Sequence, residues 1–131
     1  MKCLHIITPV KDSIESTMDT IKAVLASNLN VPHTYTIYND FSTPENTARL
    51  EQASKEMGFR LLNLADLTDH PSPNYLLVLQ TARREALEAE AGLCIVESDV
   101  TVRPDPLQGL YDGAAERTDC GIAASVTVDE A

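Results

Sequence analysis

Hydrophobic residues along this chain fall into short apolar runs separated by longer amphipathic stretches. Five runs have the length and composition of buried strands, and they cover residues 3–8, 33–38, 59–64, 93–96 and 121–128. Pro9 is expected to end the first strand. Between the runs, apolar residues recur at the three- and four-residue spacing of a helix with one buried face. This strict alternation predicts right-handed βαβ units, and hence an α/β fold with a mostly parallel sheet.

Capping and turn residues indicate where the helices begin and end. Asp12 and Glu15 form a capping box for the first helix. Thr43 caps the second helix with Pro44 at its first position, and Gly58 ends it. The expected buried faces are Ile14, Met18, Ile21 and Leu25 in the first helix, Leu50, Ala53 and Met57 in the second, Leu76, Leu79, Ala82, Ala86 and Ala89 in the third, and Leu107, Leu110, Tyr111 and Ala114 in a fourth helix that starts at Asp105 and Pro106.

The composition indicates one globular domain spanning residues 1–131. Apolar residues make up 44% of the chain and charged residues 23%, which is an ordinary balance for a domain with one core. The formal net charge is -10, which disfavours nucleic acid and anionic membranes as partners. A phosphorylated ligand would need a metal ion or N–H donors to offset this charge.

The cysteines and the N-terminus favour a cytoplasmic protein. Cys3, Cys94 and Cys120 form no paired motif, which is typical of buried thiols in a reducing compartment. No early apolar segment reaches the roughly 18 residues that a membrane span needs. The basic region and cleavage site of a signal peptide are also missing from the first residues.

Three polar loops follow predicted strands, at residues 8–12, 39–43 and 97–99. Open α/β sheets bind ligands beyond the carboxyl ends of their strands, so these loops are the expected binding edge. No G-x-G-x-x-G, Walker A or G-x-S-x-G motif is present in the sequence. Phosphate would therefore be held by a metal or by scattered donors.

Glu97 and Asp99 are two residues apart, so their side chains point the same way on extended backbone. Converging carboxylates repel each other unless a proton or a cation lies between them, and oxygen ligands suit Mg²⁺ or Mn²⁺. The alternative is that these acids cap the turn before the next helix, and spacing alone leaves both open.

Asp40 follows the second strand at the same edge of the predicted sheet. An acid there can accept hydrogen bonds from a ribose hydroxyl or a base N–H, and the alternative is a turn with Ser42. Asp12 is well explained as a helix cap. His5 is expected to be a core or edge residue rather than a ligand.

Together, these segments resemble family 2 glycosyltransferases of the GT-A fold. HIITPVKD (5–12) looks like the opening strand and loop of that family, and YNDFSTPENT (38–47) looks like its acidic second loop. ESDV (97–100) with the TVRPDPLQGL that follows looks like its Asp-x-Asp motif and downstream pattern. DCGIAASVTVDE (119–130) resembles the next strand.

The resemblance implies a Rossmann-like, three-layer α/β/α sandwich that binds a nucleoside-diphosphate sugar, most simply a UDP-sugar, with Mn²⁺ or Mg²⁺. The metal would act as a Lewis acid on the leaving diphosphate, and the sugar would be transferred with inversion. By position, the implied nucleotide-sugar-binding residues are Pro9, Val10, Asp12, Asp40 and Glu97, and the implied metal ligands are Asp99 and Glu97.

The chain departs from the family at several positions of these motifs. Lys11 replaces an aromatic residue, Asn39 the first Asp of the second loop, Phe41 a Gly, and Glu97 an Asp. Family members are also longer, and their second half supplies the acceptor site and the catalytic base. We therefore expect this chain to be the nucleotide-sugar half of a larger protein, truncated before the acceptor half. Its uncovered edge would favour a homo-oligomer.

Two other functions are compatible with this pattern. A sugar nucleotidyltransferase would have a similar fold, but that class usually carries a Gly-rich first loop, and TPVKD has no glycine. A non-catalytic α/β binding or assembly module would keep the fold without holding a metal.

Overall fold

In the computed structural model, residues 3–98 and 106–115 are described. The strands are β1 (Cys3–Val10), β2 (His33–Asn39), β3 (Arg60–Asn63) and β4 (Ala91–Ile95), and the helices are α1 (Ile14–Leu25), α2 (Pro44–Met57), α3 (Tyr75–Glu88) and α4 (Pro106–Ala115), with a 3₁₀ turn at Leu64–Asp66. The strands form one sheet in the order β3-β2-β1-β4, and every pair is parallel. The predicted α/β fold is therefore confirmed. The expected fifth strand at 121–128 and the Asp105 cap lie outside the described residues.

Helices cover both faces of this sheet. Side chains alternate along a strand, so Leu4 and Ile6 point to one face of β1 and Ile7 to the other. The first face packs against α1 and α2 in a cluster that also includes Leu107 of α4. Ile7 packs with Val78 of α3 on the opposite face. The result is the three-layer, Rossmann-like arrangement expected from the alternating pattern.

β1 continues through Pro9 to Val10, so the prediction that Pro9 ends the strand is wrong. Val96 N–H donates to the Ile7 carbonyl on the β4 side at 2.9 Å, and Asp40 N–H donates to the Val10 carbonyl on the β2 side at 2.8 Å. Successive residues of a strand direct their backbone N–H and C=O groups to the neighbouring strands on alternate sides, so the backbone of Pro9 faces the β4 side. The pairing with β4 ends at Ile7, so no partner there requires the N–H that proline lacks.

The buried face of α1 is rotated relative to the prediction. Ile21 is fully buried as expected, but Leu25 is 43% exposed and Val24 is buried in its place. Thr17 and Thr20 complete the buried face. A hydropathy pattern could not place these two threonines inside, because it does not show that the Thr17 hydroxyl donates to the Asp12 carbonyl and the Thr20 hydroxyl to the distant Ser98 carbonyl.

α2 begins and ends as its sequence predicts. The Thr43 side chain accepts a hydrogen bond from the N–H of Asn46 at 3.3 Å, Pro44 occupies the first turn, and Gly58 closes the helix with φ 86°. Only glycine adopts this left-handed conformation without strain. Leu50 and Ala53 are buried against the sheet, as expected.

α3 buries a face that overlaps the predicted one in part. Ala82 and Ala86 are buried as expected, together with Val78, whereas Leu76 is 67% exposed and Ala89 is also exposed. The small alanines let the helix lie close to β1 and β4. Within the described part of the chain, no helix combines the length and the apolar character needed to cross a bilayer.

A buried polar cluster links β1 to α3 beneath this helix. His5 is 5% exposed, and its Nδ1 lies 2.7 Å from the Thr34 hydroxyl. Its Nε2 lies 3.6 Å from Glu85 Oε2, and Glu85 is itself held by Arg60 at 2.6 and 3.0 Å. Burial lowers the pKa of His5, the Glu85 carboxylate opposes this effect, and Arg60 adds to it. His5 is thus a core residue, as predicted, and it is kept neutral mainly by desolvation.

This cluster makes the stability of the fold dependent on pH near neutrality. Because the pKa of His5 is lowered in the folded state, the unfolded chain binds this proton first as the pH falls below about 6.5. The contribution to stability is present above that value and is lost as the pH falls towards the folded pKa. We expect the free energy of unfolding to decrease between pH 7.5 and 5.5, by at most about 1.4 kcal/mol per pH unit from this residue.

Urea unfolding of the wild type and of His5→Asn at several pH values measures this effect. Asn can still hydrogen-bond to Thr34 but does not titrate, so the variant should show a shallower pH dependence. The carboxyl groups of Asp12, Asp40 and Glu85 have lowered pKa values and stay ionised throughout this range. An unchanged pH dependence in His5→Asn would contradict the assignment.

Candidate functional site

A cleft of about 370 Å³ lies at the carboxyl edge of the sheet. Its lining includes Pro9, Val10 and Lys11 from the end of β1, Asp40 from the loop after β2, and Ser98 from the turn after β4. The three polar loops predicted from the sequence therefore meet at one place. Ser72, Pro73, Tyr75 and Val78 form the remaining wall, from the segment that leads into α3.

Asp40 is the central acid of this cleft. It is 8% exposed, and its carboxylate accepts hydrogen bonds from the Ser72 hydroxyl at 2.8 Å, the Asn74 N–H at 2.8 Å and the Asn74 amide at 2.9 Å. Burial alone would raise the pKa of Asp40, but these hydrogen bonds outweigh it and hold the pKa below its ordinary value. Asp40 therefore anchors the start of α3, and it keeps acceptor capacity on Oδ1 for a ligand.

The turn after β2 is built by Asn39 rather than by Asp40. Asn39 Oδ1 accepts from the N–H of Ser42 at 3.2 Å, so the alternative of an Asp40–Ser42 turn is wrong. Asn39 Nδ2 donates to the Thr47 hydroxyl and to Asn63 Oδ1, both at 2.9 Å. An aspartate could not donate these two bonds, which gives a physical reason for Asn at this position.

Asp12 supports the second loop instead of capping α1. Its carboxylate accepts from the N–H of Thr43 at 2.8 Å and from the Asn46 amide at 3.0 Å, and its own N–H donates to the Ser42 hydroxyl at 2.8 Å. The hydrogen bond from Thr43, and then that from Asn46, lower the pKa of Asp12. The N-cap of α1 is Ser13, which makes no side-chain capping bond, so the predicted capping box is wrong.

The structure accordingly separates Asp12 from the residues that line the cleft. Its charge is placed at the N-terminus of α2, where the helix dipole favours an anion. Asp12 and Ser13 both have left-handed backbone, with φ 55° and 48°. This bend turns the chain so that the Asp12 side chain reaches the second loop.

Lys11 is the one cation among the described residues that line the cleft. Its ammonium donates to the Phe41 carbonyl and lies 3.8 Å from Asp12 Oδ2. Phe41 has φ 59°, in the left-handed region that favours glycine. Lys11 thus ties the first loop to the second and places a positive charge at the cleft.

The acidic motif after β4 is described only in part. Glu97 is exposed, and its negative charge, second to burial, raises the pKa of the Tyr75 hydroxyl. The Ser98 carbonyl accepts from the Thr20 hydroxyl at 3.0 Å, which ties this turn to α1. Asp99 lies outside the described residues, so the predicted position of its carboxylate stays a prediction.

Metal binding at this edge stays a prediction. Among residues 3–98 and 106–115, no group of three or more His, Cys, Asp or Glu side chains is arranged to hold a metal ion. Glu97 is an exposed carboxylate with the hard oxygen donors that Mg²⁺ and Mn²⁺ prefer. It supplies one half of the predicted pair, and the Glu97–Asp99 site remains a prediction.

The sequence did not identify the wall formed by Ser72, Pro73 and Tyr75, or the role of Asn74 in anchoring it. Residues 65–74 were expected to form a loop from their Pro, Asp and Asn content, which carries no periodicity. An Asn directly before an apolar helical pattern is a recognised helix-start signal, and it was the one available clue. The partner of Asn74 is Asp40, which is 34 residues away.

Comparisons with known proteins support the fold. No protein-family model and no curated protein matches the sequence. Among solved structures, S. aureus TarS 1-349 is similar at 15% identity and TM-score 0.59, over 87% of this chain and 32% of that one. Its complexes with UDP-GlcNAc (15% identity) and with UDP (14%) each align over 94% of this chain, at TM-score 0.59. This chain spans about a third of the TarS 1-349 chains, and the likeness shows a shared fold.

The Asp40 network predicts a large effect of a small substitution. Asp40→Asn keeps the shape of the side chain but replaces one acceptor oxygen with a donor that faces other donors. We expect it to lower the free energy of unfolding at pH 7 by about 1–3 kcal/mol, the usual cost of losing hydrogen bonds to a charged group. Urea unfolding measures this loss, and Asp69→Asn, which changes an exposed acid in the loop before α3, is the matched control.

The pH dependence of unfolding in the wild type and in Asp40→Asn also tests this hydrogen-bond network. The pKa of Asp40 is lowered in the folded state, so its contribution is present above the unfolded pKa and is lost as the pH falls through the folded one. The difference between wild type and Asp40→Asn should therefore shrink in acid. Equal stabilities at pH 7 would show that the three hydrogen bonds contribute nothing.

Proposed function

We propose that this chain binds a nucleoside-diphosphate sugar, most simply a UDP-sugar, as the donor domain of a family 2-like glycosyltransferase. The observation that carries the proposal is the cleft itself. It brings Pro9, Val10, Asp40 and the Glu97–Ser98 turn to one edge of the sheet, and these are segments that the sequence resemblance assigns to nucleotide-sugar binding. The structures of TarS with UDP-GlcNAc and UDP support the same ligand class.

Each part of the nucleotide has a matching wall in this proposal. Pro9 presents apolar surface to the base, whereas Val10, which is 2% exposed, contributes little surface of its own. The Asp40 carboxylate, fixed by Ser72 and Asn74, accepts a hydrogen bond from the base N–H or the ribose through Oδ1. Because three protein donors already bind this carboxylate, a further donor from the ligand meets an acceptor that needs no rearrangement.

The diphosphate is the part of the ligand that the acidic chain disfavours most. Lys11 offsets some of this charge at the cleft. We assign Glu97 and Asp99 to Mn²⁺ or Mg²⁺, and the bound metal would supply Lewis-acid stabilisation of the leaving diphosphate. The acceptor and the catalytic base are outside this proposal, because an acid for that role is expected in the second half of the protein.

The backbone at Phe41 is compatible with the resemblance. This residue stands where the family usually has glycine, and its φ of 59° is the conformation that glycine adopts without strain. The loop therefore keeps a glycine-like path although the residue has changed. Phe41 also packs beside the buried cluster of Tyr38 and Leu62, which offsets the strain.

One observation favours a second function, a nucleotide-binding module without catalysis. The carboxylates of Asp12 and Asp40 are both explained by hydrogen bonds that hold loops and helix starts. A module of this kind would keep the cleft and the fold but would bind its ligand without a metal. The metal dependence of binding separates the two.

The decisive measurement is calorimetric titration of UDP and GDP with and without Mn²⁺. If the chain is the donor domain of a glycosyltransferase, Mn²⁺ should strengthen nucleotide binding. Asp99→Asn should then weaken metal-dependent binding by at least about tenfold, since loss of even an outer-shell partner of a metal commonly has that effect. Asp19→Asn, which removes an exposed acid on α1, is the charge-matched control and should bind as the wild type does.

Two outcomes argue against metal-assisted donor binding. Nucleotide binding that ignores Mn²⁺ and survives Asp99→Asn would favour the non-catalytic module. If neither nucleotide binds under either condition, the nucleotide-sugar proposal fails altogether.

A further inference from the structure

The cleft has one aromatic residue among its described lining residues, and that residue is Tyr75. Tyr75 is the first residue of α3, and 43% of its surface is exposed. Its neighbours in the lining include Val10 and Val78, which are nearly fully buried. A large ring half exposed beside an apolar wall is surface that a flat ligand can cover.

The backbone of Tyr75 is held in place by the Asp40 network. Asn74, the preceding residue, donates both its N–H and its side-chain amide to the Asp40 carboxylate. The first residue of α3 is therefore fixed relative to the end of β2. A ring mounted on this position does not need to be ordered when a ligand arrives, which reduces the cost of binding.

The turn after β4 lines the same cleft as Tyr75 through Ser98. The Thr20 hydroxyl donates a hydrogen bond to the Ser98 carbonyl, which fixes this turn against α1. Tyr75 therefore shares the cleft with the turn that carries the acidic motif.

The geometry points to Tyr75 as the residue that packs against the nucleobase. This inference rests on the proposed function, because it specifies how the same cleft takes the base of UDP.

Calorimetric titration of the full chain with UDP and Mn²⁺ tests this inference. Tyr75→Ala should weaken UDP binding by at least about fivefold, the lower end of what stacking on one aromatic residue contributes. Tyr75→Phe keeps the ring and loses only the hydroxyl, so its affinity should fall much less. Leu76→Ala is the matched control, because Leu76 is the next residue of α3, is 67% exposed and does not line the cleft.

An NMR measurement on the wild type gives an answer that does not depend on how a variant folds. Saturation with UDP should shift the ring signals of Tyr75 upfield, because the base lies over the ring. The chain has four tyrosines, and the missing signals in Tyr75→Phe identify the right ones.

The outcomes separate this inference from the proposed function. If the wild type binds UDP but Tyr75→Ala binds it equally well, or the Tyr75 ring signals do not move, the role of Tyr75 is wrong and the nucleotide proposal stands. If the wild type binds no UDP, both are overturned. Weaker binding in Tyr75→Ala with retained binding in Tyr75→Phe and Leu76→Ala supports the inference.

Discussion

The carboxylate of Asp40 is the interaction on which the binding edge of this protein depends. In a parallel sheet, all strands end at one edge, and the helices that follow begin there with unsatisfied N–H groups. Asp40 leaves β2 at that edge and accepts the N–H of Asn74, which starts α3. Asp12 does the same for the start of α2 through the N–H of Thr43. Two acids from strand ends therefore set the positions of two helices and of the loops between them.

The same arrangement limits what the cleft can bind. Asp40 and Glu97 place negative charge near the space that a diphosphate would occupy, and Lys11 alone opposes it among the described lining residues. The three donors on Asp40 spread its charge into the protein, so its repulsion is weaker than that of a free carboxylate. The ligand compatible with these walls has a flat, polar and uncharged part at Asp40, with its charged part beyond Lys11.

The order of elements followed from the sequence because alternation of apolar runs is a local signal that the sheet leaves unchanged. The predictions that proved wrong failed because of contacts with residues in other parts of the sequence. Pro9 continues β1 because β4 diverges two residues earlier, which local sequence does not show. Asp12 looked like a cap for α1, but its partners are 31 and 34 residues away. Thr20 is buried because its hydroxyl meets Ser98, 78 residues later. Pattern reasoning placed the loops correctly and could not assign which side chains would meet.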